Sequence, residues 1–399
     1  MGRSFVIPFY SPLNVSFVRG EGIYLYDSSG KRYMDFAAGR AASSLGHCHP
    51  VVVKALSDQA KTLWHVSNMY KIREVELLAE ELVRISFADM AFFVNSGAEA
   101  VECGFKVARS YQNGIGRPER YKVLTLRRSF HGRTYAACSA SEPKGFLPLL
   151  YPYVDWFVST GYSISTIRDE VEKGSIGTIL VEPIQGEGGI QVLGQEFLRE
   201  LRDLCDQYDL LLFFDCVQCG SGRTGRFFAY EHYGVTPDIC SLAKGLGGGF
   251  PIGGCLITNR AGRFVSTQMH GSTCGGNPLA MTVARTILGE IMHPGFLECV
   301  AEKGAYFIEK LKLMSKKYPI ITEVRGLGLF IGLELDAKVR AGDVVKKLAE
   351  EGLLVAYTSV SSSENVLRIS PPLIVSREEI DEFLQIFDIF IGQVNSTLL

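Results

Sequence analysis

No sign of charge dominates this chain. Its 399 residues carry 41 Lys and Arg against 43 Asp and Glu, a net charge of -2 with histidines neutral. A surface for nucleic acid or an anionic membrane calls for a basic excess, so neither partner is expected. Long apolar runs are also missing. No stretch reaches the roughly 20 residues of a membrane span, although 47 % of the residues are hydrophobic. That share fits a well-packed enzyme and excludes a disordered chain. The opening MGRSFVIPFYSPLNV holds one arginine and a short apolar patch broken by Pro8. It lacks the apolar core and cleavage site of a secretory leader, and a cytoplasmic protein is expected. Internal repeats and low-complexity tracts are absent. The ten cysteines are scattered, in the manner of reduced thiols. Cys216 and Cys219 form an isolated C-x-x-C with no further ligands at zinc spacing, and the histidines are dispersed, so no metal site is expected.

What is present is alternation. Residues 15–36 read as a β-hairpin around the turn Asp27-Ser28-Ser29-Gly30-Lys31. A Gly/Ala/Ser-rich loop, AAGRAASSLGHCHP, then ends at Pro50. Helical spacing covers 51–63 and 75–85. Strands are expected over 91–97, 121–126, 178–184, 210–215, 238–242 and 253–258, with helices over 98–111 and 195–209 between them. This pattern predicts an α/β fold, a mostly parallel central sheet with helices on both faces. Further helices are expected over 279–290, 301–317, 341–351 and 378–392. Short strands within 321–335, 353–359 and 365–373 give the tail the look of a smaller α+β domain. The division expected is 1–45 for an N-terminal segment packing with the small domain, 46–285 for the large domain and 286–399 for the small one.

The stretch from Leu210 to Gly254 concentrates the chemistry. LLLFFD is an apolar strand ending on Asp215, and the next strand leads into Lys244, followed by GLGGG. Such ends point to a site at the C-terminal edge of a parallel sheet. Small neighbours leave room for a bound group, and a lysine in such a pocket can form a Schiff base with an aldehyde. The structural alternative is a lysine at a strand end facing solvent. Asp215 is either a strand-end cap or an anion facing a ring nitrogen. Ser96, Gly97 and Ala98, in NSGAEA, open a helix whose N–H groups suit a phosphate or serve as an ordinary cap. Phe130 can stack on a flat ring, and Arg133 offers a planar fork for a carboxylate. Glu182 and Glu187 are further candidates, and Arg368 either pairs with Glu187 to gate the site or clamps a substrate. RGLGLFIG and GLGGGFP match neither the dinucleotide fingerprint nor a P-loop.

LGHCHP, LWHVSN, NSGAEA, FHGRT, VEPIQGEGG, VQCGSGRTG, AKGLGGGFPIGG, HGSTCGGNPLA and RGLGLFIGLEL occur together and in order. In this the chain resembles the fold-type I, class III pyridoxal-phosphate aminotransferases, above all the acetylornithine/succinyldiaminopimelate branch. The resemblance implies pyridoxal 5'-phosphate as cofactor and Lys244 as the lysine that carries it and shuttles the proton. It implies Asp215 under the pyridine nitrogen, Gln218 at the ring O3', Ser96, Gly97 and Ala98 at the phosphate, and Phe130 stacked on the ring. Thr273 would reach the phosphate of the other subunit, making a homodimer with shared active sites. Arg133 would bind the carboxylate of the amino donor or acceptor. Arg368 would be masked by Glu187 for an ω-amine and freed for glutamate. Two positions depart from the pattern: Cys216 stands where the family has glutamate after the aspartate, and Val101 where it has asparagine.

The implied reaction moves the ω-amino group of N2-acetylornithine to 2-oxoglutarate, giving N-acetylglutamate 5-semialdehyde and glutamate, as in arginine and lysine biosynthesis. Succinyldiaminopimelate, ornithine and 4-aminobutyrate are the alternative donors. An aminomutase and a non-catalytic homologue are the competing classes.

Overall fold

The computed structural model describes residues 5–141, 150–358 and 365–398. At its centre lies a seven-stranded sheet, in spatial order Met90–Val94, Gly253–Ile257, Ile239–Leu242, Leu211–Asp215, Ile176–Val181, Lys122–Leu126 and Phe157–Thr160. Gly253–Ile257 runs antiparallel to both neighbours, and the other strands share one direction. The inner strands are buried along their whole length, and so they read in the sequence as unbroken apolar runs.

Alternation along Leu211–Asp215 divides its side chains between two cores. Leu212 and Phe214 join the larger core, with Leu198, Leu201 and Leu204 of helix Gln195–Tyr208. Leu211 and Phe213 join the other, with Val101, Phe105 and Ala108 of helix Gly97–Gly114. Each buried phenylalanine contributes on the order of 2 kcal/mol from area removed from water. The second helix lies very close to the sheet at Gly104, where an added Cβ would sit 2.3 Å from the Phe213 ring.

Besides a two-stranded pair, Ile184–Gln185 with Gln191–Val192, two four-stranded sheets accompany this one. Phe17–Glu21, Tyr24–Asp27 and Arg32–Asp35 form an antiparallel set. The turn expected at 27–31 joins the second and third strands, and the Asp27 carboxylate accepts from Ser29 and Lys31 N–H at 2.9 and 3.0 Å. The first run of the expected hairpin is split in two at Gly22, whose φ of +56° turns the chain so that its N–H and C=O pair with His47. The other sheet, Ile321–Leu327, Phe330–Leu335, Val366–Ile369 and Ala356–Tyr357, is antiparallel throughout.

The single strand expected over 353–359 is instead two. Leu353–Leu354 pairs in parallel with Arg32–Asp35, and Ala356–Tyr357 pairs with Val366–Ile369. The chain changes sheets at Val355, which is why one apolar run serves two partners; Ser359 lies outside the described residues. Strand Phe157–Thr160 and helices Tyr135–Ala140 and Ile164–Glu172 add to the elements expected. The strand is a four-residue edge, too short for its alternation to stand out.

Candidate active site

The shared strand direction sends several loops to one edge of the sheet, and the site is built there. A cavity of about 280 Å³ is walled by Ser96, Gly97, Ala98, Phe130, His131, Glu182, Asp215, Val217, Gln218 and Lys244, among others. Asp215 is the last residue of its strand, and its register partner on the next strand is Ser241. The Ser241 hydroxyl and the Val217 N–H both donate to Oδ1 at 3.0 Å, and His131 Nδ1 lies 2.8 Å from Oδ2. With three donors the carboxylate has one orientation. His131 Nε2 is buried without a partner among the described residues. A histidine 84 positions from its aspartate is invisible as a pair in the sequence; FHGRT pointed to its neighbours Phe130 and Arg133 instead.

Lys244 stands two residues beyond strand Ile239–Leu242, with a left-handed φ of +44°. Strain of this kind is held by the surroundings. Here the following residue is anchored: the Ser44 hydroxyl donates to the Gly245 carbonyl at 2.8 Å. Burial lowers the Lys244 amine from 10.5 to about 8 against the pull of Glu187, with Arg368 adding to the lowering and Asp215 and Glu182 opposing it. A buried amine so placed has an appreciable neutral fraction near neutral pH, as a nucleophile or base requires. Its Nζ makes no hydrogen bond among the described residues.

Glu182 follows strand Ile176–Val181 and ties two loops together. Phe130 N–H donates to its Oε1 at 2.8 Å and Gly186 N–H to its Oε2 at 3.1 Å. Burial, then the Asp215 charge, pushes its carboxyl well above the usual range. The sequence marks Glu182 only as a strand-end carboxylate; its bracing role depends on a fold that brings residues 130 and 182 together.

On the far wall, strand Met90–Val94 turns into helix Gly97–Gly114. Ser96 caps it by accepting from Glu99 N–H at 3.2 Å, and Glu99 in turn accepts from Asn95 N–H at 2.7 Å. The first-turn N–H groups of Gly97 and Ala98 have no intrahelical acceptor and, with the helix dipole, favour an anion. Gly97 is needed for space, since a Cβ there would meet Val217 at 2.7 Å. Gly97→Ala is expected to weaken retention of an anionic cofactor about tenfold. Dilution with spectroscopic readout of bound cofactor checks this, and unchanged retention would remove the cradle assignment.

The carboxylate-binding candidates lie just outside this wall. Arg368 is fully buried and its Nη1 donates to Glu187 Oε1 at 2.6 Å. Its Nε and Nη2 are buried with no partner among the described residues. Arg40 Nη1 is 3.4 Å from the same Glu187 oxygen. Gln218 links this group to the cavity, its Oε1 accepting from Arg368 Nη1 at 3.5 Å. Arg133 is exposed, its guanidinium carbon 5.1 Å from the Phe130 ring centre. Thr273 is exposed and is not part of the cavity wall. The buried Cys216 and Cys219 sit behind Asp215, both thiols pushed well up, Cys216 by burial and Cys219 by its contact with Cys216 and by burial. Among the described residues no group of His, Cys, Asp and Glu could hold a metal ion, and no helix is long and apolar enough to cross a membrane.

Burial raises Glu187 while Arg368, Lys244 and Arg40 lower it, and the net result is a fall from 4.5 to about 2. A folded value below the unfolded one stabilises fully above about 4.5, and the gain is lost as pH falls towards 2. Glu187→Gln is therefore expected to cost roughly 3 kcal/mol at pH 7, the gap closing in acid. Urea unfolding at pH 7 and pH 3 measures it; a gap independent of pH would show that the ion pair is not its source.

A helix N-terminus stripped of side chains at Gly97, an amine facing the cavity with no hydrogen bond among the described residues and an oriented carboxylate fit pyridoxal phosphate by its phosphate, aldehyde and ring nitrogen. The comparisons agree with that chemistry. The model of the family "Aminotransferase class-III" matches residues 8–391. The acetylornithine aminotransferase of Agrobacterium fabrum is 45 % identical over 369 residues, covering 92 % of this chain and 91 % of its own. That of Caldanaerobacter subterraneus is 44 % identical over 401 residues, 98 % of each. Among solved structures, the ornithine aminotransferase of Toxoplasma gondii ME49 superposes with a TM-score of 0.93 at 31 % identity, over 98 % of this chain and 94 % of that one. The N-acetylornithine aminotransferase of Stenotrophomonas maltophilia K279a gives 0.84 at 34 %, over 97 % and 98 %. The chain belongs to the class-III aminotransferases, pyridoxal-phosphate-dependent enzymes of fold type I.

Proposed function

We propose that this aminotransferase moves the ω-amino group of N2-acetylornithine to 2-oxoglutarate. The observation that carries the reading is the buried Arg368, paired through Nη1 with Glu187 and unpartnered at Nε and Nη2. One guanidinium can thus be neutralised for a chain ending in an amine, or present its open fork to the second carboxylate of a diacid. Relatives 45 % and 44 % identical to this chain bear the acetylornithine name.

Pyridoxal phosphate, when bound, supplies an aldehyde for the amine and a conjugated ring that takes up the electron pair released at the reacting carbon. The residues around it have separate tasks. Gly97 and Ala98 N–H groups and the Ser96 hydroxyl would hold the phosphate. Phe130 would lie against the ring, Gln218 would serve O3', and Asp215 would keep a proton on the ring nitrogen. Lys244 Nζ would hold the aldehyde, and as a base it would move the proton at the amine-bearing carbon. Arg133 receives the substrate carboxylate. Thr273, exposed on the single chain, reaches the phosphate of a second subunit in a homodimer. Residues 46–285 act as the large domain, with 1–45 and 286–399 packing as the smaller body. A cytoplasmic place in arginine or lysine biosynthesis accompanies this reading.

Assays with N2-acetylornithine, succinyldiaminopimelate, ornithine and 4-aminobutyrate, each with 2-oxoglutarate, test it. Acetylornithine is expected to show the highest kcat/KM, and no turnover of the first two donors would remove the assignment. Ornithine is the second reading, favoured by the 0.93 superposition on the Toxoplasma gondii enzyme.

A further inference from the structure

Glu187 is a carboxylate on which two arginines converge. Arg368 Nη1 and Arg40 Nη1 approach the same oxygen, Oε1, at 2.6 and 3.4 Å. The two guanidiniums differ in environment, since the Arg368 side chain is fully buried and that of Arg40 is 56 % exposed. They also come from opposite ends of the chain. Arg368 lies on strand Val366–Ile369, and Arg40 lies in the loop that follows strand Arg32–Asp35. Arg40 has a left-handed φ of +63°, an unusual conformation for a residue with a side chain. Its carbonyl accepts from Gln218 Nε2 at 3.2 Å, while Gln218 Oε1 accepts from Arg368 Nη1 at 3.5 Å. One residue of the cavity wall therefore touches both arginines.

We propose that Arg40 is a positioning residue for the diacid half of the reaction, receiving the Glu187 carboxylate when a substrate carboxylate occupies Arg368. This rests on the reading of Arg368 as the diacid clamp. A carboxylate entering at Arg368 Nε and Nη2 brings negative charge beside Glu187, and like charges on one guanidinium repel. Glu187 is 4 % exposed, and a buried carboxylate that gives up its partner is strongly destabilised unless another cation replaces it. Arg40 already shares the oxygen concerned. It needs to close by less than an ångström to reach the roughly 2.8 Å of a strong charge-assisted contact, and its half-exposed side chain has room to do so. Without a diacid, the short, dry contact to Arg368 prevails. Lys244 and Arg40, whose charges also lower the Glu187 carboxyl, stay beside it when Arg368 is engaged elsewhere.

The test measures dissociation constants on the holoenzyme by calorimetry, with two unreactive ligands. Glutarate carries the second carboxylate; N-acetylnorvaline does not. Arg40→Asn tolerates the left-handed backbone and is expected to weaken glutarate about tenfold while leaving N-acetylnorvaline within about twofold. Arg40→Lys should restore part of the loss. In a Glu187→Gln background, the Arg40→Asn effect on glutarate should fall below about twofold, because no carboxylate remains to be received. An effect of the same size in that background would mean that Arg40 touches the diacid itself, and would overturn the proposal. Unaltered glutarate affinity in Arg40→Asn would overturn it too. If neither the parent nor Glu187→Gln bound glutarate, the clamp reading of Arg368 would fail first, a result separate from any effect of Arg40.

Discussion

Lys244→Ala is expected to lower kcat by at least about 10⁴-fold, the upper range for a lost proton-transfer group, with the covalent anchor lost as well. The fold should survive. The side chain makes no hydrogen bond among the described residues, and removing a buried amine whose ionisation burial opposes relieves a desolvation cost. Borohydride reduction followed by intact-mass measurement should add the cofactor to the parent protein and nothing to the variant. The parent's uptake of cofactor should quicken as pH rises through about 8, because the amine must be neutral to attack and its folded value lies there. Retention of more than about 1 % of parental turnover by a cofactor-loaded, natively folded variant would refute the role given to Lys244.

Asp215→Asn is the second large effect, expected to reduce kcat by about 10²–10⁴-fold. The amide keeps an oxygen for the Ser241 hydroxyl and Val217 N–H, both on Oδ1 at 3.0 Å, so the strand end should hold its shape. What is lost is the negative charge that keeps a proton on a facing ring nitrogen, and with it the electron sink. Cofactor content should stay near parental, since Lys244 and the helix N-terminus remain. The expected signature is thus a loaded enzyme with low turnover. Turnover within tenfold of parental would mean that the ring proton is held by another group.

Much of this could be read in the sequence because parallel strands buried on both faces leave continuous apolar runs. LLLFFD announces a strand, and the residue that ends it stands out by its charge. The helix opening at Gly97 was equally plain, since a capping serine and a glutamate three positions on are local signals. Other features depend on distance along the chain. The pairing of Asp215 with His131 and of Glu182 with Phe130 N–H required the packing of loops far apart in sequence. The direction of Gly253–Ile257 was hidden because an apolar strand looks the same in either sense. Arg40 lay in a loop read only for its small residues, and its approach to Glu187 emerged with the fold.

The crossing at Val355, where the chain leaves one sheet for another, bears on the order in which the molecule can be made. Strand Arg32–Asp35 is synthesised long before its parallel partner Leu353–Leu354. Contacts so distant in sequence form late and slowly. The first sheet must wait with an open edge until that partner emerges, so its completion is tied to the making of the later sheet.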